Sequence, residues 1–119
     1  MKKIFIHCRL PDKELTKLRD NFVLRVHSSK NIILNESDFF KKAAGFNGVI
    51  SQGNIIGKNF IEANKGTLSV ISNVGVGYDN IDIDAATKNG VAVFNTPNLM
   101  NNAVADLTLG LIISLTRKI

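Results

Sequence analysis

The stretch best suited to chemistry is Asn73-Val74-Gly75-Val76-Gly77-Tyr78-Asp79-Asn80-Ile81-Asp82. Two glycines flanking one residue let the backbone turn sharply and approach a ligand closely, and consecutive N–H groups in such a turn converge on an anion. A carboxylate is a suitable guest. A tight glycine turn with no ligand fits the same residues. The dinucleotide fingerprint does not: the run fails to continue as G-x-G-x-x-G, because Asn80 stands where a third small residue should open a helix.

The remaining reactive side chains have plainer explanations. Cys8 is the single cysteine, so it forms no internal disulfide, suits a reducing compartment and is expected to pack as a small hydrophobe. His7 and His27 fall on predicted strands and are not expected to act as general bases. Asp106 lies near the start of the last predicted helix, where the helix dipole stabilises a carboxylate by about 0.3–1 kcal/mol.

Periodicity and punctuation place the elements that must hold the glycine run. Residues 2–7, 22–27, 48–51, 68–73 and 91–94 read as strands, and the glycine run follows the fourth of them. Pro11-Asp12 starts a helix with Leu15, Leu18 and Phe22 about one turn apart. Ser37 is the expected N-cap of a helix over residues 38–44 that stops at Gly45. A third helix covers residues 58–64 and ends at Gly66, and a fourth opens at Asp82 and closes at Asn89-Gly90. Asn101 or Asn102 is expected to cap a long helix from Ala103 towards Ile119. Strands alternating with helices at this spacing form βαβ crossovers, which dictate an α/β fold with a parallel sheet covered on both faces.

Composition narrows the class. A chain of 119 residues has room for one domain, and 45% hydrophobic with 21% charged residues excludes disorder. No apolar run reaches the roughly 18 residues of a membrane span, and the N-terminus is too weakly apolar for a signal peptide, so a cytoplasmic location and no membrane partner are expected. The net charge is +5, with 12 of the 15 Lys and Arg in residues 1–68. They are spread over helices with neither an Arg-rich run nor interleaved aromatics, which argues against a nucleic-acid partner.

The last helix is the anomaly. Residues 103–115 are apolar except for Asp106, Thr108, Gly110 and Ser114, and a helix apolar around most of its circumference is normally enclosed on several sides. It is expected to lie between two domains, residues 1–100 forming the first and 101–119 leading out of it. In this chain alone it is expected to drive a homo-oligomer through Leu107, Leu111 and Leu115.

Residues 68–82, then Ala85-Ala86, Gly90-Val91-Ala92-Val93, Asn95-Thr96-Pro97 and Ala103-Val104-Ala105-Asp106, closely resemble the D-isomer-specific 2-hydroxyacid dehydrogenases in order, spacing and residue type. Arg9-Leu10-Pro11 resembles the start of the glyoxylate and hydroxypyruvate reductase branch. The resemblance implies a flavodoxin-like, five-stranded, substrate-binding domain followed by a hinge helix. It also implies a dinucleotide-binding domain, with the catalytic arginine, glutamate and histidine, beyond residue 119. NAD or NADP would then serve the full-length relative, with no tight binding to this chain and no activity from it alone. On the same resemblance Val76 and Gly77, with Gly75, hold the substrate carboxylate through backbone N–H groups, and Ser51 and Gln52 shape the pocket. Phosphoglycerate dehydrogenases commonly carry an arginine in that second loop, and its absence leans towards an unphosphorylated 2-oxo or 2-hydroxy acid. Asn101-Asn102 departs from the Thr-Glu common in relatives. A free-standing carboxylate-binding or regulatory module is the alternative reading.

Overall fold

The computed structural model describes residues 1–27 and 33–119. The elements run β1 (Lys3–His7), α1 (Asp12–Arg19), β2 (Val23–Val26), α2 (Glu36–Ala43), β3 (Gly48–Ser51), α3 (Lys58–Ala63), β4 (Val70–Asn73), α4 (Ile83–Lys88), β5 (Ala92–Phe94) and α5 (Asn101–Arg117). All strand pairs are parallel, in the order β2-β1-β3-β4-β5. This is the flavodoxin-like order, in which ligands sit beyond the carboxyl ends of the strands.

Alternation along the strands sorts side chains to two faces. Phe5, Val49 and Ile71 pack with Phe39 and Ala43 of α2, Phe60 and Ile61 of α3 and Ala85 and Ala86 of α4. Phe39 meets Phe5 edge-on at 5.9 Å and Phe60 at 5.4 Å between ring centroids, a geometry that adds about 0.5–1.5 kcal/mol per pair to the burial of the rings. The opposite face joins Ile4 and Ile6 to Leu15 and Leu18 of α1. Register completes the frame: His7 pairs with Ser51, and Ser51 with Asn73. Three buried polar residues therefore stand in one row across the carboxyl ends of β1, β3 and β4.

Two expected caps differ. Asn35, not Ser37, caps α2: its side-chain oxygen accepts from Asp38 N–H at 2.8 Å, and its amide donates back to the Asp38 carboxylate at 2.8 Å. This reciprocal pair outcompetes a lone serine hydroxyl and leaves Ser37 in the first turn. Neither Asn101 nor Asn102 caps α5. Met100 occupies the cap position without a side-chain bond, and Asn101 lies within the helix, donating to Asn98 Oδ1 at 3.3 Å. Asp82 does cap α4, accepting from Ala85 N–H at 2.9 Å.

No residue of α5 is buried. The helix extends from the body of the molecule, whose principal extents are 57 × 33 × 25 Å, and the radius of gyration of 17.1 Å exceeds the roughly 13–14 Å of a compact domain this long. Among the described residues, no helix is long and apolar enough to cross a membrane.

Candidate functional site

Past β4 the chain makes the glycine turn, and its hydrogen bonds divide by type. Every carbonyl from Gly75 to Tyr78 has a protein donor. Gly75 O accepts from Thr96 N–H at 2.9 Å, Val76 O from Asn95 Nδ2 at 2.9 Å, Gly77 O from Asn73 Nδ2 at 2.7 Å and Tyr78 O from Ile81 N–H at 3.1 Å. Gly75 N–H is also taken, by Thr96 Oγ1 at 3.1 Å. Val76 and Gly77 N–H donate to no protein acceptor among the described residues, and both residues are exposed. With its acceptors occupied and two adjacent donors open, the turn offers solvent a surface that favours an anion.

The two glycines serve different ends. Gly75 has a φ of 158°, at the margin of what residues with a side chain adopt. Gly77 has no such backbone requirement. A Cβ there would sit 3.5 Å from Asp79 Oδ1 in ordinary contact, so its missing side chain serves close approach rather than backbone geometry. The Asp79 carboxylate beside the turn repels an anion and keeps affinity low unless a cation joins the site.

A buried polar network ties this turn to the loop after β3. Asn54 is fully buried. Leu34 N–H donates to its Oδ1 at 2.8 Å, which fixes the orientation of the amide. Asn54 Nδ2 then donates to Ser51 Oγ at 2.7 Å and meets His7 Nδ1 at 2.8 Å. His7 Nδ1 must therefore accept, and the neutral ring carries its proton on Nε2. The Asn54 carbonyl accepts from Asn80 Nδ2 at 2.8 Å; the same Asn80 nitrogen lies 3.4 Å from Asn73 Oδ1, and Asn73 reaches Gly77 O. In the β3 loop Gly53 adopts a φ of 72°, where a side chain would be strained and would crowd Ile33 Cδ1 at 3.2 Å.

Ser51, an expected pocket residue, is wholly enclosed, with its hydroxyl bonded to Asn54 and its carbonyl to Val74 N–H at 2.8 Å. It enters the site as support for the loop, because burial leaves no face open to a ligand. Gln52 is exposed and is the side chain of this pair that a ligand can meet. His7 is buried against Asn54, with His27 at 5.3 Å between ring centroids. Burial pushes the Cys8 thiol up to about 11, so it stays protonated at neutral pH. A shallow cleft of about 320 Å³ lies beside the turn, lined by Tyr78, Ile83, Thr87, Val91, Val93, Phe94 and Asn95. Among the described residues no group of three or more His, Cys, Asp or Glu is arranged to hold a metal ion.

The glycine turn and the start of α4 do not fit a dinucleotide pyrophosphate. The glycine turn runs into Ile81, which bridges to Ile56, and α4 begins only at Ile83. The first amides of α4 face the Asp82 carboxylate, which would repel a phosphate.

Sequence reasoning missed Asn54, Asn73, Asn80, Asn95 and Thr96 as functional positions. Replacing Asn54 with alanine would leave Leu34 N–H without an acceptor and Ser51 and His7 without their donor. Each unsatisfied buried group costs about 1–3 kcal/mol, so Asn54→Ala is expected to lower stability by about 3 kcal/mol or more in urea denaturation. A change below about 0.5 kcal/mol would show that water or other protein atoms satisfy these groups once the Asn54 amide is gone.

Comparison with known proteins supplies a second line. The family model for the D-isomer specific 2-hydroxyacid dehydrogenase catalytic domain matches residues 4–118. A Staphylococcus aureus protein named as a 2-hydroxyacid dehydrogenase is 32% identical over 121 residues, covering 100% of this chain and 37% of its own length. A Thermus thermophilus crystal structure superimposes with a TM-score of 0.84 at 31% identity, over 98% of this chain and 37% of that one. An NAD+-bound 3-phosphoglycerate dehydrogenase from Entamoeba histolytica gives a TM-score of 0.60 at 27% identity, over 95% of this chain and 38% of that one. The chain thus spans little more than a third of the length of these relatives.

Proposed function

The chain belongs to the D-isomer-specific 2-hydroxyacid dehydrogenase family, matching its catalytic domain, and from that premise we propose that residues 1–100 form the substrate-binding part of an oxidoreductase that interconverts 2-oxo and D-2-hydroxy acids. The observation that carries this reading is the pairing pattern of the glycine turn: bound carbonyls from Gly75 to Tyr78, open N–H groups at Val76 and Gly77. The carboxylate common to both substrates takes those two N–H groups, while Gln52 borders the remainder of the molecule. The β3 loop offers no arginine at Ser51-Gln52-Gly53, which favours a small unphosphorylated acid such as glyoxylate or hydroxypyruvate.

NAD or NADP would supply or accept hydride in the complete enzyme. The glycine turn does not seat it, so the share of the work that falls to the turn is to bind the carboxylate and set its direction. In this reading α5 is the hinge into the cofactor-binding part, and in the chain alone its bare apolar surface pairs two copies.

Titration of 15N-labelled chain with sodium glyoxylate tests the site. Val76 and Gly77 amide resonances are expected to move together and saturate with millimolar affinity, about −4 kcal/mol, since the Asp79 carboxylate beside the turn opposes the anion. Amides that stay in place at tens of millimolar glyoxylate would remove the turn as the carboxylate seat.

A further inference from the structure

The direction of an amide N–H is set by whatever holds the carbonyl of the same peptide unit, because the unit is planar and, when trans, its C=O and N–H point opposite ways. No cis peptide occurs among the described residues. The Val76 N–H shares its unit with Gly75 O, which accepts from the backbone N–H of Thr96. The Gly77 N–H shares its unit with Val76 O, which accepts from the side-chain amide of Asn95 at 2.9 Å. Both units are thus held by their oxygens to consecutive residues just past β5, and both N–H groups turn away from that segment. The turn lies past β4, which β5 flanks on one side and β3 on the other, so turning from the Asn95–Thr96 segment aims the donors to the side of the β3 loop.

The two holds differ in kind. A backbone donor fixes the first unit and survives substitution of the Thr96 side chain. A single side chain fixes the second. We propose that Asn95 is a positioning residue that aims the Gly77 N–H at the substrate carboxylate; this rests on the carboxylate reading of the turn. Asn95 need not touch the ligand. It acts through the peptide plane between Val76 and Gly77, and its half-buried position at the mouth of the turn lets it reach the Val76 oxygen from the neighbouring strand.

Residual dipolar couplings of the 15N-labelled chain report the N–H directions without any ligand, and a sodium glyoxylate titration reports their use. In Asn95→Ala the Gly77 coupling is expected to change while the Val76 coupling stays as in the parent. The affinity read at Gly77 is expected to fall about tenfold, the loss of one aligned hydrogen bond. Asn95→Asp, which cannot donate, should match or exceed that loss, and Asn95→Gln, which keeps the donor, should recover part of it. Thr96→Val keeps the backbone donor and should leave the Val76 coupling unchanged. Equal changes at Val76 and Gly77 in Asn95→Ala would mean general loosening of the turn and would overturn the proposal, as would a Gly77 coupling unaffected by both Ala and Asp. If the parent chain shows no glyoxylate response while Asn95→Ala still redirects Gly77 alone, the carboxylate reading fails and the aiming role of Asn95 stands.

Discussion

Purified as residues 1–119, the chain is expected to leave NADH and NADPH unconsumed in the presence of glyoxylate, hydroxypyruvate or pyruvate. The turn can hold a carboxylate, yet holding it is the smaller part of the reaction. A positioned general acid is worth about 10²–10⁴ in rate, and fixing the hydride donor against the acceptor carbon contributes effective molarities of about 10⁵–10⁸ M. The described residues offer neither. His7 is 2% exposed with Nδ1 against Asn54, His27 stacks on Phe5, and the carboxylate nearest the turn, Asp79, has the wrong charge to polarise a 2-oxo group. The capped start of α4 gives the cofactor no phosphate seat. Together these absences amount to about seven orders of magnitude or more, which places the rate below any assay background. The measurement is loss of reduced-nicotinamide absorbance with enzyme at high micromolar concentration. Turnover that co-elutes with the chain through two unlike chromatographic steps would show that it carries a cofactor seat and an acid outside the arrangement described.

The fold and the site were legible to different depths, for reasons that lie in sequence distance. Local signals carry β3, where residues 48–51 are punctuated by glycine at each end, and α4, where Asp82 and Asn89-Gly90 mark both termini. They carry β2 less well. It pairs only over Val23–Val26, at the sheet edge, where one neighbour rather than two extends the ladder. Gly75 and Gly77 announce a turn from composition alone, but nothing local tells which of the turn's polar groups remain open. That is decided by Asn95, 19 residues from Val76, and by Thr96, 21 residues from Gly75. Asparagine is common in loops for its own turn chemistry, so a buried asparagine that spans two loops looks in sequence like any other. Ser51 illustrates the converse. It ends β3, next to the loop where pocket residues are expected, and only its register with His7 and Asn73 shows it to be part of the buried row beneath.

Helix α5 should make this chain a dimer or larger oligomer in solution, and Leu111→Asp should return it to a 13.0 kDa monomer. The helix is about 25 Å long, and Leu107, Leu111 and Leu115 are 64%, 56% and 80% exposed. Spaced four residues apart, they lie along one face, and Val104, Leu109, Ile112 and Ile113 widen the apolar surface around it. Burying such a leucine is worth about 1.5–3 kcal/mol. Six of them across a pair of chains can outweigh an association cost of about 4–15 kcal/mol. Folding back onto its own sheet is the competing outcome, but one sheet face covers one side of a helix, and the described chain leaves every side of α5 bare. Exchange of the helix between copies would achieve the same cover, with the turn at Asn98, whose φ is 62°, as the point of departure. An aspartate at 111 must either stay charged in an apolar seam or hold the seam open, and both outcomes favour separated chains. Sedimentation at high micromolar concentration decides the matter. A monomeric parent would mean that α5 finds its cover within the chain, whereas an oligomer that survives Leu111→Asp would move the contact to another surface, such as the exposed edge at Phe94.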